Sequence, residues 1–105
     1  MTVPTVTAVP AGAFLLDVRE PDEWQAGHAP NAVHIPLAQV PGRMSELPTD
    51  RTIVAICRVG GRSARVTAFL RERGLDVRNY EGGMRAWAAA GGPMEAVGER
   101  PPAVI

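Results

Sequence analysis

Short apolar runs alternate with helix-like segments along this chain of 105 residues, and this alternation constrains the fold most strongly. Strands that alternate with helices are typical of an α/β domain with a largely parallel sheet. Two of the runs are nearly continuous in apolar residues, as expected of strands covered on both faces. The pattern predicts an α/β fold with a mostly parallel central sheet of about five strands, flanked by helices on both faces. The five predicted strands are TVTAV (5–9), AFLLDV (13–18), AVHIP (32–36), RTIVAIC (51–57) and DVRNY (76–80).

The segments between these runs have the composition of helices. Proline in a first turn, acidic residues near the positive end of the helix dipole and glycine at the end mark their limits. Apolar residues at i, i+3 and i+4 give the third segment an amphipathic face. The predicted helical segments are 20–26 followed by Gly27, 37–47 divided in two at Pro41-Gly42, 63–73 followed by Gly74, and 82–90 followed by Gly91.

The overall charge and the single cysteine exclude several classes of function. Eleven basic and eleven acidic residues cancel, so no global field attracts nucleic acid or an anionic membrane. One cysteine permits neither an internal disulfide framework nor a cysteine-based zinc site. The first residues, MTVPTVTAVPAG, have the features of neither a signal peptide nor a spanning helix. We therefore expect a cytoplasmic protein with no nucleic-acid or membrane partner.

The only cysteine, Cys57, opens the loop CRVGGRS (57–63) directly after the most clearly buried strand. The carboxyl edge of a parallel sheet is where α/β proteins bind ligands. Gly60 and Gly61 can supply positive φ angles, which allow the backbone to curl with its N–H groups pointing inward. A helix that begins near Ser63 adds the positive end of its dipole. The loop is therefore predicted to form an anion-binding nest around the thiol.

Two arginines strengthen this interpretation of the Cys57 loop. The positive charges of Arg58 and Arg62, together with the helix dipole, are expected to lower the pKa of Cys57 and favour the thiolate. The alternative is a buried cysteine that acts as a small apolar residue, with an ordinary glycine turn and two surface arginines. The combination of thiol, glycines, arginines and helix favours a nucleophile.

Two longer stretches carry a resemblance to a known family. CRVGGRS and the following ARVTAFLRERGLDVRNYEGGMRAW resemble the active-site loop and C-terminal half of single-domain rhodaneses. LLDVREPDEWQAGHAPNAVHIPL resembles the N-terminal signature of that family. The resemblance implies a single rhodanese-like domain over 1–105, with a core at about 10–92 and a C-terminal tail at 93–105. The tail, rich in Gly and Pro, is expected to lie on the surface or to be partly disordered.

The resemblance implies a sulfurtransferase that needs no metal or organic cofactor. Cys57 would attack the outer sulfur of an anionic donor such as thiosulfate, release sulfite and carry the sulfur as a persulfide. A thiophilic acceptor, which is cyanide, a thiol or a partner protein in a sulfur relay, would then remove it. The substrate-binding residues would be those of the loop: Arg58, Val59, Gly60, Gly61, Arg62 and Ser63. Arg58 and Arg62 would bind the anion, whereas Val59 contributes no charge.

Several residues outside the loop also have expected roles. The resemblance implies that Asp17 and Arg19 support the site through a hydrogen-bonding network. His28, in the GHAP turn, could act as a base toward Cys57, and the alternative is a structural histidine that bonds the local backbone. His34 is expected to be structural, and Trp24 and Trp87 are expected to be core or rim aromatics.

Two other functions remain alternatives. A cysteine-dependent phosphatase or arsenate reductase also binds an anion over a thiolate, but the relevant phosphatases place five residues between Cys and Arg. Only four separate Cys57 from Arg62 here, and this shorter loop favours sulfur over phosphate. A persulfide carrier or redox module fed by a partner protein would use the same chemistry at Cys57. The sequence does not predict an oligomeric state.

Overall fold

A sheet of five parallel strands organises the computed structural model of this protein, which describes residues 2–105. The strands are β1 (Thr5–Val6), β2 (Phe14–Asp17), β3 (Val33–His34), β4 (Ile53–Ile56) and β5 (Val77–Tyr80). The helices are α1 (Pro21–Ala26), α2 (Gly61–Arg71) and α3 (Gly83–Ala89), and two 3₁₀ helices span Leu37–Gln39 and Pro41–Glu46. The strand order is β1-β5-β4-β2-β3, and every pair is parallel.

The central strand β4 separates two apolar clusters. Ile53 and Ala55 belong to one cluster with the α2 residue Leu70, whereas Val54 and Ile56 belong to the other with the α3 residue Met84. Alternate residues of a strand point to opposite faces, and all four β4 residues are buried. Both faces of the sheet are therefore covered by helices, and the predicted α/β class with a five-stranded parallel sheet is confirmed.

The helices follow the predicted limits with one difference that bears on the site. Helix α2 begins at Gly61, two residues earlier than predicted, because Gly60 has φ +116° and turns the chain into the helix. Gly61 itself lies in the first turn of α2, so the prediction that both glycines supply positive φ angles is wrong for Gly61. Within residues 2–105, no helix is long and apolar enough to cross a membrane.

The C-terminal segment 93–105 lies along α1 and is held there by backbone hydrogen bonds. The His28 and Glu95 backbones exchange two of these bonds, each 2.9 Å long, and the Ala103 N–H donates to the Ala26 carbonyl at 2.8 Å. Val104 packs against the apolar cluster on the α3 side of the sheet. The segment therefore lies on the surface as an ordered strap.

Candidate active site

Cys57 lies at the carboxyl edge of the sheet, directly after β4. The neighbouring strand β2 ends at Asp17, which is paired in register with Ile56. Asp17 and Cys57 therefore reach the same sheet edge, as the parallel arrangement requires. Cys57 is only 1% exposed, so its sulfur is surrounded by protein atoms rather than by water.

Two hydrogen-bond donors point at the Cys57 sulfur from the predicted nest. The Gly60 N–H lies 3.0 Å from Sγ, and the Ser63 hydroxyl lies 3.2 Å from it. The left-handed backbone at Gly60 turns its N–H back toward the thiol, a conformation that a side chain would strain. The loop therefore presents donors to a sulfur anion, which is the arrangement that stabilises a thiolate.

The pKa of Cys57 is lowered, and hydrogen bonds to the sulfur are the main cause of the lowering. Burial of the thiol opposes ionisation, and the hydrogen bonds from Ser63, Gly60 and Val59 more than offset it. The expected causes were Arg58, Arg62 and the helix dipole. Ser63 lies in the first turn of α2, so its backbone N–H supplies the expected helix-terminus contribution, and the charge of Arg62 also attracts the thiolate.

Arg62 forms a two-point ion pair with Glu23 of α1. Its two terminal nitrogens donate to the two carboxylate oxygens at 2.6 and 2.8 Å. This pairing lowers the pKa of Glu23 from about 4.5 to about 2 and raises the pKa of Arg62. Arg62 is therefore paired with a carboxylate that the sequence predicted only as part of a helix start, and its role in binding an anion stays a prediction.

Arg58 is turned toward the C-terminal strap. Its Nε donates to a main-chain oxygen of Ile105 at 2.9 Å. Val59, next in the loop, is 53% exposed and offers a small apolar surface at the rim. Arg58 is therefore held by one main-chain oxygen of the strap, whereas Arg62 is held by two oxygens of a side-chain carboxylate.

Asp17 and Arg19 form a buried ion pair beside the loop. Both side chains are 0% exposed, and Arg19 donates through Nε and a terminal nitrogen to the two Asp17 oxygens. Arg19 also donates to the carbonyls of Glu23 and Gly27, at 3.3 and 2.8 Å. The pair therefore fixes the end of α1 against the sheet and acts on the loop through Glu23 rather than by touching Cys57.

Asn79 completes the nest and was missed by the sequence analysis. It lies in β5, beside β4, and its side-chain oxygen accepts a 2.6 Å hydrogen bond from the Ser63 hydroxyl. Its amide nitrogen donates to the Gly60 carbonyl at 3.1 Å. The available signal was a polar residue two positions after Val77, on the same face of β5 as that apolar residue and next to the cysteine strand.

Gly83 is a second residue whose role the sequence analysis missed. The N–H groups of Met84 and Arg85 donate to the carbonyls of Cys57 and Arg58, at 2.7 and 3.0 Å. A Cβ at Gly83 would lie 2.5 Å from these same carbonyl groups. The absence of a side chain at Gly83 therefore lets the start of α3 approach the loop closely enough to bond to the carbonyls of Cys57 and Arg58.

The two histidines form a stack around Trp24 rather than a pair with the thiol. The ring centroid of Trp24 lies 3.6 Å from that of His28 and 4.8 Å from that of His34. His28 Nδ1 donates to the Trp24 carbonyl and His34 Nε2 to the Arg19 carbonyl, each at 2.7 Å.

Trp87, the other tryptophan, donates to the Pro93 carbonyl. Nowhere in residues 2–105 do three His, Cys, Asp or Glu side chains group as metal ligands.

Comparison with known proteins assigns the family. The model of the rhodanese-like domain matches residues 7–90. This chain belongs to the rhodanese-like family. A sulfurtransferase of Allochromatium vinosum is 43% identical over 84 residues, which cover 79% of this rhodanese-like chain and 78% of the relative. Sulfur transfer is therefore the chemistry to which this family membership points.

Solved structures and a second relative extend this comparison. A rhodanese-related protein of Thermoplasma volcanium superposes with a TM-score of 0.76 at 35% identity, covering 79% of this chain and 83% of that one. YrkF of Bacillus subtilis, provisionally named a sulfur carrier protein, is 40% identical over 74 residues. These residues cover 70% of this chain and 40% of YrkF. The fold and the family of the chain are thus established together.

Proposed function

We propose that this rhodanese-like domain transfers a sulfane sulfur from an anionic donor, of which thiosulfate is the simplest, to a thiophilic acceptor. Cys57 is the nucleophile and carries the sulfur as a persulfide. The observation that supports this most directly is the pair of donors at 3.0 and 3.2 Å from Sγ, which favour an anionic sulfur at the edge of the sheet.

The proposed reaction proceeds in two steps that balance without a further reagent. The thiolate electron pair forms a bond from Sγ to the outer sulfur of thiosulfate, and the S–S bond of the donor breaks. Sulfite leaves with the electron pair of the broken S–S bond, and one negative charge remains on the outer sulfur of the persulfide. Cyanide or a thiolate then bonds to this sulfur, and the electron pair of the breaking S–S bond returns to Cys57.

We propose different roles for the loop residues in binding the sulfur on Cys57 and the anionic donor. Residues 58–63 are proposed to surround the anionic sulfur, with hydrogen bonds from the backbones of Val59, Gly60 and Ser63 and from the Ser63 hydroxyl. Arg58 is proposed as the main contact for the donor, because one exposed hydrogen bond to the strap holds it, whereas two hydrogen bonds hold Arg62 on Glu23. Arg62 contributes less, since Glu23 neutralises it. Binding of a dianion such as thiosulfate is therefore expected to be weak.

Asp17 and Arg19 are proposed as supporting residues. Their ion pair holds the end of α1, and α1 carries Glu23 to Arg62. No proton transfer is assigned to them, because a thiolate nucleophile needs no base. We further propose a cytoplasmic location, where a free thiol stays reduced.

A persulfide carrier fed by a partner protein is the second candidate, and the resemblance to YrkF favours it. The chemistry at Cys57 is the same, and only the donor differs. In that case, a desulfurase supplies the sulfur directly to Cys57, and the physiological partner is a protein in a sulfur relay.

Steady-state assays separate these functions. We expect the purified protein to form thiocyanate from thiosulfate and cyanide, and Cys57→Ser to form none. Persulfide formation only with a desulfurase would favour the carrier. Hydrolysis of an aryl phosphate faster than thiocyanate formation would overturn the sulfurtransferase in favour of a phosphatase.

A further inference from the structure

The hydroxyl of Ser63 lies within reach of three acceptors. Its oxygen is 2.6 Å from Asn79 Oδ1, 3.2 Å from Cys57 Sγ and 3.3 Å from the Gly60 carbonyl oxygen. A serine hydroxyl carries a single proton and can direct it to one good acceptor at a time. The sulfur and the Asn79 oxygen therefore compete for the same donor.

The orientation of the Asn79 amide is fixed by the loop. Its nitrogen donates to the Gly60 carbonyl at 3.1 Å. With the amide turned over, two oxygen acceptors would face each other at this position. Asn79 Oδ1 therefore faces Ser63, where it can only accept a hydrogen bond.

The thiol and the thiolate of Cys57 differ by one proton that can be donated in a hydrogen bond. In the thiol, S–H donates to the Ser63 oxygen and the Ser63 hydroxyl donates to Asn79, so each group has a partner. In the thiolate, the Ser63 proton turns to the sulfur, and Asn79 Oδ1 loses that donor. Asn79 is 6% exposed, so water compensates this loss poorly.

We propose that Asn79 is a positioning residue that competes with the Cys57 thiolate for the Ser63 proton and so favours states in which Sγ carries no charge. The sulfur-loaded state is one of these, because the persulfide charge lies on the outer sulfur. The Ser63 proton then returns to Asn79. This part rests on the proposed function, whereas the competition in the unloaded protein does not.

Charged groups around the loop do not account for such an effect. Arg62 is paired with Glu23 from α1, and Arg19 is paired with Asp17 from β2. Arg58 contacts the strap, and the side chain of Arg85 at the start of α3 is exposed. Substitution of the uncharged Asn79 removes none of these groups and adds no charge.

Titration of the thiolate tests the proposal without any sulfur donor. The chain has one cysteine, so ultraviolet absorbance of the thiolate, with Cys57→Ser as the blank, follows Cys57 alone. We expect Ser63→Ala to raise the Cys57 pKa by about one unit, because the thiolate loses a charge-assisted donor. Asn79→Ala should lower it by roughly half a unit. In the Ser63→Ala background, Asn79→Ala should change nothing.

The opposite outcomes contradict the proposal clearly. If Asn79 only holds the loop through the Gly60 carbonyl, its removal loosens the donors of the thiolate and raises the Cys57 pKa. An unchanged pKa in Asn79→Ala, or an equal shift with and without Ser63, also overturns the competition. Asn79→Leu, which nearly preserves the volume, replaces the alanine variant if circular dichroism shows that the latter does not fold. Thiocyanate formation, measured separately, reports on the proposed function.

Discussion

The reactivity that we propose for Cys57 depends on the hydrogen bonds that its sulfur accepts. Gly60 and Ser63 point donors at Sγ, whereas the positive charge of Arg62 is neutralised by Glu23. Hydrogen bonds act only at short range and in good geometry. The shape of the loop, more than its net charge, therefore sets how readily the thiolate forms.

The ion pair between Arg62 and Glu23 leads to a prediction about the affinity for the sulfur donor. Glu23→Gln removes the opposing charge and leaves Arg62 positive beside the loop. We expect the KM for thiosulfate to fall on the order of threefold, with a smaller effect at high salt. Glu46→Gln, which breaks the similar Arg43–Glu46 pair away from the site, is the matched control and should leave KM unchanged. A KM that is unchanged or higher in Glu23→Gln would assign the pair a purely structural role.

The same pair predicts a pH dependence of stability. The pKa of Glu23 falls from about 4.5 to about 2 in the folded protein. A carboxylate with a lowered folded pKa contributes stability above its unfolded pKa and loses it as the pH falls toward the folded value. Denaturant unfolding at a series of pH values should therefore show a steeper loss between about 4.5 and 2 in the wild type than in Glu23→Gln. Parallel curves would show that the pair adds nothing to stability.

At the scale of elements, the unit from β4 through the loop to α2 could be predicted because its determinants are local in sequence. An apolar run, a glycine with positive φ and an amphipathic stripe specify it. The pairs Glu23–Arg62 and Ser63–Asn79 join residues 39 and 16 positions apart. Only the packing of α1 and β5 beside the loop brings them together, so the sequence alone predicted the thiol and its loop but not Glu23 and Asn79, which bond to that loop.

The contact of α3 with the loop gives a prediction at this scale. Gly83→Ala would place a methyl group against the carbonyls of Cys57 and Arg58, at a backbone φ of +60°. We expect a loss of roughly 2 kcal/mol or more in the free energy of unfolding. Gly61→Ala is the control, because Gly61 is helical and the added Cβ meets no atom within 4 Å beyond its chain neighbours and its own helix. Equal stability of the two variants in urea unfolding would contradict the close approach.

At the scale of the whole molecule, the C-terminal strap contacts both α1 and the Cys57 loop. Residues 93–105 run along α1, and a main-chain oxygen of Ile105 accepts a hydrogen bond from Arg58 in the loop. Gly27 leaves room for this path, since a Cβ there would lie 2.6 Å from the Ala103 oxygen. The composition of this segment predicted a surface position but could not specify its course, because its contacts are backbone bonds to distant residues.

Gly27→Ala tests the attachment of the strap. The φ of Gly27 is 170°, an extended value that alanine adopts without strain, so the added methyl acts only on the strap. We expect faster hydrogen exchange at the amides of Val97 and Ala103, which bond to α1. Gly42→Ala, with no atom within 4 Å of its Cβ, should leave this exchange unchanged. Unaltered protection in Gly27→Ala would show that the strap is not held there.

In the proposed reaction, Cys57 receives a sulfur atom and holds it as a persulfide. Intact-mass measurement after incubation with thiosulfate tests this most directly, since the chain has one cysteine. We expect one added sulfur in the wild type, located on Cys57 and removed by cyanide, and none in Cys57→Ser. A wild-type mass unchanged by both thiosulfate and a desulfurase, in folded protein with a reduced thiol, would contradict the account.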